Sequence, residues 1–286
     1  MCRAGRDADE NQRHNKNELA EVAHARSIRA EKGDRLVFER PFRVLAGLVR
    51  GMLSIAATQF FDPNSAILPG FYQGAGGSIP PPGFQMTSKA FQASLDDLIL
   101  QAQKPSRYVG GEFGSVQKDL DAVALKFALA FPDTYEVGMS NLGFRLLYHT
   151  LNERADVACE RVFLPWPDFE TVLREHKIPL FSMESRRPVR DFDLLGITLQ
   201  FELCYTSVLA LLDASHIPLF AKDRGERDPI VLGGGPCAFN AEPVADFFDC
   251  FAIGEGEDIV HEIAQAVIDC KGSGATRAQL LAKLSE

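Results

Sequence analysis

The 286 residues, 46% hydrophobic and 24% charged, have ordinary globular composition and supply one full domain plus appendages. A net charge of −9 without a basic stripe excludes a nucleic-acid footprint, which needs clustered Lys and Arg, so no DNA-binding role is expected. The six cysteines are scattered with no C-x-x-C pair, which signals neither a zinc site nor a disulfide framework and reads as reduced, mostly buried thiols of a cytoplasmic protein.

Residues 1–85 differ in character from the remainder of the chain. Through Arg35 the chain is charge-dense with few large apolar residues, too few to offset chain entropy, so disorder or a loose helix is expected. The apolar run Leu45 to Phe61 is broken by Arg50, Gly51 and Gln59 and is short for a bilayer. No convincing signal peptide precedes it, so no membrane partner is expected. GFYQGAGGSIPPPG reads as a flexible connector. Met86 is the expected natural start, with the upstream residues foreign to the native protein.

Residues 86–120 read as a helix and a lead-in loop: Thr87 or Ser88 can cap a helix burying Phe91, Leu95, Leu98 and Ile99, which Pro105 ends. Residues 121–271 form the main domain. Val123 to Phe131, apolar without strict alternation, predicts a strand covered on both faces, ended by Pro132 and Asp133. Ser140 or Asn141 can cap the next helix, whose Leu142, Leu146, Leu147 and Leu151 recur at helical spacing. A second strand is expected over Ala158 to Leu164, and Pro165 to Asp168 turns into a helix carrying Phe169, Val172 and Leu173. Trp166, between two prolines, is expected to pack against the sheet edge. Pro179 to Met183 reads as a short extended piece.

Leu194 to Leu199 predicts the third strand, and Glu202 to Ala214 an amphipathic helix with Leu203, Val208, Leu211 and Leu212. Pro229 to Leu232 and Cys250 to Ile253 predict the fourth and fifth strands, with a turn and short helix at Glu242 to Phe248 between them. A helix over Asp258 to Asp269 completes the unit, and residues 272–286 read as the start of a linker that opens another helix at Ala275 to Leu284. Strands alternating with helices predict an α/β fold with a doubly wound, parallel, five-stranded sheet.

In such a sheet the loops at the carboxyl ends of the strands converge on one edge, where ligands bind. Here they are Asp133 to Gly138, Thr198 to Glu202, Gly233 to Asn240 and Gly254 to Glu257. Each has a bland use: glycines for a tight turn, Glu255 and Glu257 opposing a helix dipole, Asp133 and Glu136 solvating a loop, Cys237 as a small buried thiol. The histidines show no metal-ligand spacing.

The loop pattern resembles that of cobalamin-binding domains: D-x-H-x-x-G after the first strand, S-x-L after the third and G-G after the fourth. Asp133 to Gly138 match the first element with Tyr135 in the histidine position, Thr198 to Gln200 approximate the second, and Gly233 and Gly234 match the third. Together with KPSRYVGGEFGS, VFLPWPDF and VLGGGPCAFNAEPVADFFDCFAIGEGE, the chain resembles radical SAM proteins with an N-terminal cobalamin-binding-like domain.

The resemblance implies a flavodoxin-like, Rossmann-like fold and a corrinoid across the carboxyl edge, bordered by Asp133, Tyr135, Gly138, Thr198, Gln200, Gly233, Gly234, Gly235, Gly254 and Glu255. A phenol at Tyr135 implies cobalamin without a histidine lower ligand, or a domain that has lost the cofactor. The C-x-x-x-C-x-x-C loop for a [4Fe–4S] cluster and S-adenosylmethionine is absent, so the expected partner is a catalytic radical SAM domain in cis, and this chain alone is expected to be inactive. The alternative is a non-catalytic flavodoxin-like interaction module.

Overall fold

The computed structural model describes residues 89–285, with side chains from residue 94 onward. The expectations for residues 1–85, the start at Met86, the capping by Thr87 or Ser88 and the burial of Phe91 lie outside the described residues.

The helices in chain order are α1 (Lys89–Ile99), α2 (Tyr135–Ser140), α3 (Leu142–Glu153), α4 (Pro167–Glu175), α5 (Tyr205–Ala214), α6 (Gly256–Ser273) and α7 (Arg277–Leu284). The strands are β1 (Leu125–Phe131), β2 (Val157–Phe163), β3 (Leu194–Thr198), β4 (Ile230–Gly234) and β5 (Cys250–Phe251), all parallel, in the order β2-β1-β3-β4-β5. That is the flavodoxin-like doubly wound order. β1 shows the physical cause. Its Leu125, Phe127, Leu129 and Phe131 join one buried cluster and its Ala128 and Ala130 the other. A strand apolar on both faces needs a layer on each side. Side chains of α2, α3, α6 and α7 cover the phenylalanine face, and those of α1, α4 and α5 cover the alanine face.

Several local features depart from the sequence reading. A separate short helix, α2, precedes the one capped by Asn141, whose side chain accepts a bond from the Phe144 amide at 2.8 Å. α3 buries Phe144, Tyr148 and Leu151, while Leu142 is 75% exposed and Leu146 also faces solvent. The ring of Phe144 reaches those of Phe131 and Phe163, and this aromatic contact rotates the leucines outward. Leu203 is exposed because Glu202–Cys204 is a 3-10 turn that shifts the phase of α5. Trp166 is half exposed with the Arg107 guanidinium 5.1 Å from its ring centroid, instead of packing on the sheet edge. β5 is two residues long, against the four expected.

Residues 272–286, expected to open a linker, contain α7, begun by a capping box between Thr276 and Gln279. The Arg277 guanidinium donates to the buried Asp249 carboxylate at 2.7 Å, and Asp249 also accepts from Arg224 and from the Val231 amide of β4. Among the described residues no helix is long and apolar enough to cross a membrane.

Candidate functional site

The order β2-β1-β3-β4-β5 puts the switch point between the carboxyl ends of β1 and β3, from which the chain runs to opposite faces of the sheet. The loops around it are joined in pairs. The Leu164 amide donates to the Asp133 carbonyl at 2.9 Å, linking the segments after β1 and β2. The Leu199 amide donates to the Gly234 carbonyl at 2.6 Å and the Cys237 amide to the Leu199 carbonyl at 3.0 Å, linking those after β3 and β4.

Asp133 uses one carboxylate oxygen to accept from the Thr134 amide at 2.6 Å. Tyr135 opens α2 with its ring edge-on to Phe163 at 5.4 Å, and burial, with the nearby Glu112 carboxylate favouring the neutral form, pushes its phenol up to about 12. It stays a neutral donor at physiological pH and a poor metal ligand. Gln200 is half-buried at the β3 loop. Gly234 faces open space, and Gly235, at φ +98°, lies with its Cα against the Leu199 backbone, where a Cβ would come 3.0 Å from the Leu199 carbonyl oxygen. Gly254 and Glu255 are exposed beyond β5.

Three of the residues expected to border a ligand face inward. Thr198 is buried and donates to the Ala130 carbonyl at 3.4 Å. Cβ atoms added to Gly138 and Gly233 would meet the rings of Phe163 at 2.4 Å and Phe251 at 2.6 Å, so these glycines make room for aromatic packing.

Other residues at this edge are not among those the sequence reading assigns to a ligand. Val137, Leu142, Trp166, Phe201, Leu203 and Phe239 are exposed, and all lie on segments following the carboxyl ends of β1 to β4. Cys204 and Cys237 are buried beneath the β3 and β4 loops, and burial pushes both thiols up. Arg161, buried on β2, donates from Nε to Glu184 at 2.6 Å and from Nη2 to Glu112 at 2.7 Å. The only sequence signal for Glu112 is its place in GGEFG. Arg161 and Glu184 are charged residues in otherwise buried stretches, visible only as breaks in the apolar pattern.

Among the described residues no group of three or more His, Cys, Asp or Glu side chains is arranged to hold a metal ion. The chain is 25% identical over 150 residues to a protein of Methanocaldococcus jannaschii described as uncharacterized, a match covering 51% of this chain and 28% of that relative. The chain thus spans under a third of the relative's length. Residues 143–286, from the start of α3 to the end of the chain, match the family model described as radical SAM proteins, N-terminal. Strands β2 to β5 and helices α4 to α7, with nearly all of α3, lie within that match, so the chain belongs to the radical SAM proteins as their N-terminal region.

Proposed function

We propose that this domain presents a corrinoid, or a substrate, to the catalytic barrel of a radical SAM enzyme, with the ligand lying across the carboxyl edge of the sheet. The observation that carries the reading is the open backbone at Gly234, at the carboxyl end of β4, on an edge whose loops after β3 and β4 carry the exposed apolar side chains Phe201, Leu203 and Phe239. A glycine with nothing within 4 Å of a built Cβ lets a nucleotide tail approach the main chain. Exposed apolar side chains on the same edge suit a large, largely apolar ring.

The residues fit a corrinoid held without a protein ligand to cobalt. Burial keeps the Tyr135 phenol protonated, so its oxygen is not offered to a metal. Gly234, Gly235 and Gly254 would border the tail, and Gln200 and Glu255 would supply polar contacts. When bound, a corrinoid supplies a redox-active cobalt centre. This chain's own residues bind, orient and shield it, and the catalytic domain covers the exposed apolar edge.

The test is the visible spectrum of the full chain after incubation with hydroxocobalamin and gel filtration. Retained corrinoid absorbance, lost in Gly234→Leu, is the expected result. Gly233→Leu is not a usable probe, because its side chain would displace the Phe251 ring. A folded protein that retains no corrinoid would refute the cofactor role and favour the interaction module, whose apolar edge serves docking alone.

A further inference from the structure

β2 is an outer strand of the sheet, paired with β1 alone, so the amides and carbonyls on its free side either find other partners or stand ready to pair with another strand. The Asp156 carbonyl faces β1, where it accepts from the amides of Ala124 and Leu125. Backbone groups alternate in direction along a strand, so those of Val157, Cys159 and Arg161 point to the free side.

Each of these three residues is met by a group that belongs to no strand. The Val157 carbonyl accepts from Lys118 Nζ at 2.7 Å, and the same ammonium caps the end of α3 through the carbonyls of Asn152 and Arg154, at 2.8 and 2.6 Å. The Asn152 side chain acts on Cys159 as a neighbouring peptide would. Its Oδ1 accepts from the Cys159 amide at 3.1 Å, and its Nδ2 donates to the Cys159 carbonyl at 2.9 Å, as well as to the Tyr148 carbonyl within α3. The Arg161 amide donates to Glu184 Oε2 at 2.8 Å, and the Arg161 carbonyl accepts from the Met183 amide at 2.8 Å.

Met183 and Glu184 belong to a strap, residues 180–188, that folds back on itself: the Ser182 amide donates to the Arg187 carbonyl at 3.0 Å, and Phe181 is bridged to Pro188. Two charged residues within the otherwise apolar VACERVF hold this strap, and both are buried. Glu160 alternates with Ala158 and Val162 on the alanine face of the sheet, and Arg161 with Cys159 and Phe163 on the phenylalanine face. The Ser185 hydroxyl donates to Glu160 at 2.6 Å, and Arg161 Nε donates to Glu184 at 2.6 Å, so the strap grips the edge from both faces. Buried charges are costly unless paired, and here each is paired by the strap.

We infer that Lys118, Asn152 and this strap form a closure of the β2 edge that keeps the strand from pairing with β2 of a second copy of this chain. Backbone groups already bonded within the molecule gain little from another strand. Deleting a side-chain partner leaves a donor and an acceptor whose nearest substitute is an extended backbone.

The test is Asn152→Leu in the full chain, which keeps the side-chain size and removes both bonds to Cys159. In dilute solution the Cys159 amide is expected to exchange with solvent deuterium about tenfold faster than in the unsubstituted protein. At higher concentration the variant is expected to sediment with a larger mass than the unsubstituted protein. It is also expected to bind a fluorescein-labelled peptide carrying VACERVF, under reducing conditions, that the unsubstituted protein does not bind. Asn152→Asp keeps the acceptor for the Cys159 amide but offers no donor to its carbonyl, and should fall between the two. Unchanged exchange would show that Asn152 does not close the edge, and faster exchange without peptide binding would show an open edge that does not pair; either result overturns the inference, as does peptide binding by the unsubstituted protein. Should Asn152→Leu fail to fold, Lys118→Met, which frees the Val157 carbonyl, is read by the same peptide binding and sedimentation.

Discussion

Removing the Arg161 side chain tests how the β1–β2 side of the edge is built. In Arg161→Ala the Glu184 carboxylate, whose side chain is 1% exposed, loses its counter-charge and a direct bond of 2.6 Å, and Glu112 loses its bond of 2.7 Å. Breaking a buried pair by deleting one partner costs about 3–5 kcal/mol, because the remaining charge stays out of water. That is a large share of the about 5–15 kcal/mol that holds a domain together.

Burial already pushes the Glu184 carboxyl above its ordinary range despite Arg161, and without Arg161 it rises further. A carboxyl with a raised folded-state pKa leaves stability intact below its unfolded value and loses it as pH rises toward the folded value. The penalty of Arg161→Ala is therefore smaller at pH 5 than at pH 8. Urea unfolding followed by far-ultraviolet circular dichroism at the two pH values measures both effects. Replacing Arg161 and Glu184 together by Met should recover most of the loss, since neither charge of the pair is then left buried without the other. A cost below about 1 kcal/mol for Arg161→Ala, equal at both pH values, would refute the reasoning.

Glycines on adjacent helices should respond to alanine in opposite ways. Gly138→Ala pushes a Cβ into the Phe163 ring and should destabilise by about 1–2 kcal/mol after the gain in helix propensity, whereas Gly143→Ala, with only the Asn141 side chain near at 3.5 Å, should stabilise by up to about 0.5 kcal/mol; thermal unfolding compares them. Glu136, held down to about 2 chiefly by Lys104, contributes stability above pH 4.5 that is lost as pH falls through that range, so Glu136→Gln should flatten the acid limb of the stability profile. Arg277→Ala should cost about 2 kcal/mol by removing one of the two guanidinium groups that face the buried Asp249 carboxylate, and should speed amide exchange in α7 before the rest of the domain.

The strands and helices of the sheet were legible because their apolar runs and glycine-proline punctuation are local properties. β1, β3 and β4 lie within one or two residues of where their hydrophobic runs place them. The same local reasoning misassigned the buried face of α3, since Phe144 and Tyr148 outcompete Leu142 and Leu146 through aromatic contacts to other elements. The site was legible in outline only. The glycine triplet after β4 reads as one feature, yet Gly233 accommodates Phe251, Gly234 is open and Gly235 is set by its positive φ. Three adjacent, chemically identical residues acquire three roles from their neighbours.

By itself the sequence determined the alternation of strands and helices, and with it a doubly wound parallel sheet and the edge where its loops meet, because hydrophobic periodicity and connection rules act along the chain. Only the tertiary structure decided which edge residues face outward, and that the buried Arg161 joins the buried Glu184 and the part-exposed Glu112 in one network. Those charges lie as far apart in sequence as residues 112 and 184, and no local pattern encodes a partner brought close only by folding.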